Sequence, residues 1–203
     1  MAVMGRPRGF DEVAVLDASV KQFRVHGFAD TSTEQLCDAA GVRRSSLYNT
    51  FTSKDELFVR SLERSVSVAR EQQEAILTDA ELSGIERLAA LFNLVLDEED
   101  EARNNGHAAG CMIVSSRMAP DLGAREPRVR NILDRFLHDQ LSLVADAVRA
   151  GRLDGTLRAE VAPNEAALMV VSAISGIRVL AQAGTMPAEL CKVADLHIDS
   201  LKA

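Results

Sequence analysis

The stretch that decides the fold is Gly41–Phe51, GVRRSSLYNTF, which sets two adjacent arginines, two serines, a tyrosine and an asparagine behind a glycine. It does so in a chain whose formal net charge is -7. The preceding segment, TSTEQLCDAAG, carries Ser32 with Gln35, or Thr31 with Glu34, at the spacing of a capping box. That spacing predicts a short helix running to about Ala40 and stopped by Gly41 in the left-handed conformation. After a turn of about three residues the pattern resumes as a second short helix, from about Arg44 to Asn49, with Val42, Leu47 and Phe51 directed inward. Two short helices about a glycine-containing turn are the sequence form of a helix-turn-helix.

Upstream of this unit, Val13, Leu16, Val20 and Phe23 form one apolar stripe of helical period, which predicts a helix ending near His26 and Gly27. Downstream, Ser53 with Glu56 has capping-box spacing and opens a long helix through Leu57, Phe58, Leu62, Val66 and Ala69. The same periodicity continues, with helices expected over 83–97, 110–118, 126–150, 163–182 and 187–202. Trp is absent, there is one Tyr, and β-branched runs are scarce, so the fold class is all-α. The 203 residues, 47% of them hydrophobic, suffice for a proper core. We divide the chain into a basic arm (1–9), a helix-turn-helix DNA-binding domain (10–55) and a helical ligand-binding and dimerisation domain (56–203).

Charge separates these parts. Up to Arg60, eight cations balance eight carboxylates, so the whole net charge of -7 belongs to the remainder. An anionic partner is not repelled by the N-terminal part. With Leu47 and Phe51 inward, Arg43, Arg44, Ser45, Ser46, Tyr48 and Asn49 fall on or near the outer face of the second helix. Arginine can donate two parallel bonds to guanine, asparagine can pair with adenine, and hydroxyls suit phosphate. Helix N-termini attract phosphate, which adds the region of Ser32, Thr33 and Ser53, together with Lys54, as a backbone clamp. In the arm GRPRG, Arg6 and Arg8 suit a narrow minor groove, or else belong to a solvated tail.

The run Gly27–Phe58, GFADTSTEQLCDAAGVRRSSLYNTFTSKDELF, resembles the DNA-binding domain of the TetR family of transcriptional repressors. That pattern is a Gly-aromatic pair, T-S/T, a short helix, A-G-V, L-Y, F and K-D/E-x-L. Tyr48, Phe51, Lys54 and the turn at Ala40–Val42 fall in register. Arg43 departs from the small cap usual there, and Cys37 stands where Ala is usual. The C-terminal part resembles the family chiefly at GCMIV, Gly110–Val114. The resemblance implies a homodimer bound to a palindromic double-stranded operator and released by a small, mostly apolar effector, with no cofactor and no catalysis.

Other constellations are weaker. The cysteines number three, an odd count with no CxxC pair, so neither a disulfide framework nor a zinc knuckle is expected. His107 and Cys111 have an i, i+4 spacing but no acidic partner for a metal and no third residue for a catalytic set. Cys37 reads as core. Cys111 admits two readings, a small buried hydrophobe or a reactive thiol that senses oxidants or electrophiles. DEEDE, Asp97–Glu101, reads as a solvated loop ending a helix. No export signal precedes Phe10, and the apolar run Ala166–Ile177 is shorter than a membrane span, which places the protein in the cytoplasm.

Two further sets are expected in the C-terminal part. Phe92, Leu96, Cys111, Met112, Ser115, Met118, Phe136, Met169 and Ser172 are candidate walls of a ligand pocket. Ala173, Gly176, Ile177, Leu190, Ala194 and Ile198 lie on two helices whose small and apolar residues suit either a twofold four-helix interface or intramolecular burial. Resemblance to the family, in which the last two helices dimerise, favours the interface. The remaining alternative is a DNA-binding regulator that takes no ligand.

Overall fold

The computed structural model describes residues 11–105 and 110–203, and among these the regular structure is helical. The first helix, α1 (Glu12–Asp30), starts at Asp11, whose carboxylate accepts the Ala14 amide. It buries Val15, Leu16, Ser19 and Phe23, while Val13 is 53% exposed. The apolar face is thus rotated from the expected stripe, because Val13 lies on the far side of a face centred on Val15 and Ser19. At Gly27 the backbone leaves helical geometry, with φ 72° and ψ 177°, before one last turn to Asp30. That region is open essentially to glycine alone. Thr31 is buried, and its hydroxyl donates back to the Gly27 carbonyl.

Ser32 therefore caps the next helix, α2 (Thr33–Ala40), with both halves of the box made: its Oγ accepts the Gln35 amide at 3.2 Å, and Gln35 Oε1 accepts the Ser32 amide at 2.7 Å. Gly41 ends α2 in the left-handed region. After Val42 and Arg43 the chain enters α3 (Arg44–Phe51), which buries Leu47 and Phe51. The exit from α3 is tight. Thr52 has φ 58° and ψ -41°, and the Ser53 amide donates to the Phe51 carbonyl at 2.5 Å, a positive-φ γ-turn. It launches α4 (Lys54–Leu77), whose cap Ser53 accepts the Glu56 amide. The Glu56 carboxylate does not return to Ser53 as the spacing suggested; it accepts instead from Arg128 at 2.8 Å.

Six helices follow: α5 (Gly84–Asn104), α6 (Met112–Arg117), α7 (Pro120–Arg125), α8 (Pro127–Leu153), α9 (Pro163–Gln182) and α10 (Pro187–Leu201). The short α7, on PDLGAR, has too few residues to show a period and was not expected. DEEDE is not a loop: α5 continues through it to Asn104, and Glu99 is buried against Arg178 of α9. A guanidinium distant in sequence converts what reads as a charge run into helix. Helix α9 is, by length and composition, long and apolar enough to cross a membrane, which the shorter run had not suggested. It buries Ala166, Ala167, Val170, Val171, Ala173, Ile174 and Ile177 against the neighbouring helices and is a core helix.

Two hydrophobic clusters result. One joins α1–α4 to Met112, Ile113, Leu122, Val129, Leu133 and Phe136, so the N-terminal half of α8 packs with the helix-turn-helix unit. The other joins the C-terminal end of α4 to α5, the rest of α8, α9 and α10. Both α4 and α8 run through the two clusters and tie them mechanically. Where α5 meets α8 the backbones touch, since a Cβ on Gly84 would lie 2.1 Å from Gly151 Cα.

Candidate nucleic-acid interface

Burying Leu47 and Phe51 leaves the opposite side of α3 to solvent. Arg43, Arg44, Ser45 and Asn49 are exposed, and Ser46 and Tyr48 are half-buried. Tyr48 is oriented by two partners: its hydroxyl bonds Thr33 Oγ1 at 2.9 Å, and Arg44 lies over its ring at 5.5 Å from the centroid. The first contact joins the start of α2 to α3 and sets their relative position. Arg43 makes no side-chain cap bond at the start of α3, which leaves the first amides of that helix open.

Lys54, at the start of α4, sits over the Phe28 ring at 4.5 Å, and Arg125 sits over the same ring at 4.6 Å. Phe28 in turn meets Phe58 edge-on with centroids 5.0 Å apart. Partial burial lowers the Lys54 pKa, and the nearby Asp55 acts against that shift. The carboxylates that follow Lys54 are both neutralised from the C-terminal part: Arg125 pairs with Asp55 and Arg128 with Glu56, each at 2.8 Å. Arg128 also holds Glu126, whose carboxyl is lowered to about 2 by that hydrogen-bonded pairing. Negative charge beside Lys54 is thereby offset. Ser32 is exposed and Thr33 half-buried at the start of α2. Cys37 is buried, and burial pushes its thiol pKa up, which keeps it protonated. Arg6, Arg8 and His107 lie outside the described residues.

Comparison with known proteins agrees with this arrangement. Residues 15–60 match the profile of bacterial regulatory proteins of the tetR family, and residues 84–194 match the tetracyclin repressor-like C-terminal domain. The chain belongs to the TetR family. BdcR of Escherichia coli K12, an HTH-type transcriptional repressor, is 25% identical over 200 residues, 98% of this chain and 93% of that protein. ComR, an HTH-type transcriptional repressor of the same organism, is 33% identical over 121 residues; the match spans 59% of this chain and only 56% of ComR. A cysteine-substituted mutant of the TetR family regulator CifR, solved in complex with 26-bp double-strand operator DNA, superposes with a TM-score of 0.79 at 26% identity, covering 97% of this chain and all of that one. The family is one of DNA-binding transcription regulators, not enzymes.

In this TetR-family chain the expected pocket walls do not converge. Phe92 belongs to the C-terminal core, whereas Met112 and Phe136 belong to the N-terminal cluster. Met169 is partly buried against the C-terminal core, Met118 is 75% exposed, and Ser172 is exposed. Clefts among the described residues take in single members of the set. One, of about 430 Å³, lies among the C-terminal ends of α5 and α9 and the start of α10, and takes in Leu96. Another, of about 420 Å³, lies between the end of α1 and α6–α7, and takes in Ser115. Cys111 is half-buried.

The expected dimer residues are likewise divided. Ala173, Ile177, Leu190 and Ala194 are buried within the chain, and Gly176 and Ile198 are half-buried. The large apolar residues that α9 and α10 leave outside are Leu168, Val179, Leu180 and Leu196. Sequence reasoning missed these, and it also missed Arg24, Glu99 and Arg178. One signal for the last group was available: Arg178 is the lone cation in an apolar helix, and a buried cation requires a counter-charge.

Proposed function

We propose that this protein is a transcriptional repressor that binds a palindromic or near-palindromic operator as a homodimer and leaves it when a small effector occupies the C-terminal domain. The observation that carries the DNA reading is the solvent face of α3, which offers Arg43, Arg44, Ser45 and Asn49 while Leu47 and Phe51 anchor its other side. Arg44 and Asn49 read base edges; Ser45 and Ser46 sit at the groove wall. Arg43, Tyr48, Ser32, Thr33 and Lys54 hold phosphates, helped by the uncapped amides at the start of α3. Arg6 and Arg8 enter the adjacent minor groove.

A helix of eight residues reads few base pairs, so two copies about a twofold axis are needed for a specific site. The outward apolar residues of α9 and α10 supply the self-complementary face. Such a protein works where the chromosome is, in the cytoplasm. Effector binding opposes DNA binding through a coupling of about 1 to 3 kcal/mol, or roughly 5- to 150-fold in affinity. The names of BdcR and ComR and the operator complex of CifR support this reading.

Selection of bound sequences from a random duplex pool tests it. The full chain should enrich a site with twofold symmetry, and Arg44→Ala should fail to enrich it. Enrichment by both proteins of the same site, or of a site without symmetry, contradicts the assignment.

A further inference from the structure

The cleft among the ends of α5, α9 and α10 holds an unusual carboxylate. Glu99 lines it, is 4% exposed, and has one oxygen, Oε2, buried with no hydrogen-bond partner among the described residues. Its other oxygen accepts from Arg178 Nη1 at 2.7 Å and lies 3.9 Å from Arg24 Nη2, which is itself buried without a hydrogen-bond partner among the described residues. Glu98 shares Arg178 at 2.5 Å. Asp97 and Asp100 also line the cleft. Its one lining cation, Arg103, is engaged by the Thr185 carbonyl and Met186 Sδ, each at 3.3 Å. The cleft thus has an excess of negative charge and an acceptor that lacks a donor. Leaving a buried acceptor unmet is costly.

We propose that this cleft is the effector site and that it takes a small organic cation, an ammonium group on an apolar body, received by Glu99 Oε2. The apolar body rests on Leu96, Ala181, Pro187 and Leu190. A metal ion fits poorly, because no three acidic, histidine or cysteine side chains converge among the described residues. The inference rests on the reading of the chain as an effector-responsive regulator and gives that reading a route. Arg24 belongs to α1 of the DNA-binding unit, and its Nε also donates to the Gly110 carbonyl. An ammonium on Glu99 takes over the counter-charge of Arg24 and releases α1 from α5, so that occupancy changes how the DNA-binding unit sits on the rest.

The test is calorimetric titration of the full chain with benzylamine, benzyl alcohol and benzoate, three probes of nearly equal size that differ in charge. At about 0.5 kcal/mol for each non-hydrogen atom, a ligand this small binds at about the millimolar level, so the titration runs to about 10 mM. Benzylamine should bind and the other two should not. Glu99→Gln should weaken benzylamine by about 10-fold or more. Since that change also disturbs Arg178, Thr185→Trp, which narrows the cleft and leaves its charges alone, should abolish binding by itself. Equal binding of the three probes, no binding of benzylamine, or binding unaltered in both variants overturns the proposal. In Arg24→Gln, benzylamine should still bind but should no longer change the affinity for the selected duplex; an unchanged response overturns the coupling route. Because the titration uses no DNA, its failure is distinct from a failure to recover an operator.

Discussion

Arg44 and Thr52 occupy one short helix and its exit, and they illustrate two kinds of residue. The position of Arg44 on the solvent face follows from the two apolar anchors Leu47 and Phe51, which any reader of the periodicity can find. Thr52 gives no such sign. A β-branched residue in a positive-φ γ-turn is strained by about 1 to 3 kcal/mol, and nothing in TFTSK announces it. Glycine relieves that strain at an entropic cost of about 0.5 to 1 kcal/mol. Thr52→Gly should therefore stabilise the fold by about 1 kcal/mol in chemical denaturation, and a loss of stability would contradict the strain. Glu99 was similarly illegible, since four acidic neighbours in a row make it look solvated.

At the scale of elements, helix starts were readable where a side chain of the same helix supplies the cap, as Ser32 does for α2. The start of α5 also falls where the periodicity set it, at Ser83, though its remote partners gave no sign. The first amide of α5 is accepted by Asp154 at 2.8 Å and the next by Thr156 at 3.2 Å, both from the segment just after α8. The same region carries a close backbone contact of the C-terminal core. Gly84→Ala places a methyl against the Gly151 backbone, which cannot yield as a flexible side chain would. Its cost should be about 3 kcal/mol, at the upper end for overpacking, read as a lowered midpoint in urea. An unchanged midpoint would mean that α5 and α8 separate freely there. Helices α4 and α8 cross both clusters, so a movement at their C-terminal ends reaches Asp55 and Glu56 through Arg125 and Arg128.

For the whole molecule, composition and period were enough to indicate an all-α chain with a helix-turn-helix at one end, but not which side of α9 faces a partner. That helix is apolar nearly all round, and only tertiary packing shows that Ile177 points inward while Leu168 and Val179 point out. The outward set should form the dimer. Val179→Asp with Leu196→Asp should yield a folded monomer in sedimentation velocity, whereas Ile177→Ala should lower stability by about 2 to 5 kcal/mol and leave the dimer intact. A dimer that survives both outward charges would move the interface elsewhere. The central claim is that α3 reads bases while Lys54 holds the backbone. The most direct measurement is the affinity of the parent, Arg44→Ala and Lys54→Ala for the selected duplex and for a scrambled one across a series of salt concentrations. Arg44→Ala should lose about 1 to 3 kcal/mol on the selected duplex alone, and Lys54→Ala should weaken both and flatten the salt slope by about 1. Equal losses for the two variants on both duplexes, or no loss for Arg44→Ala, would contradict the account.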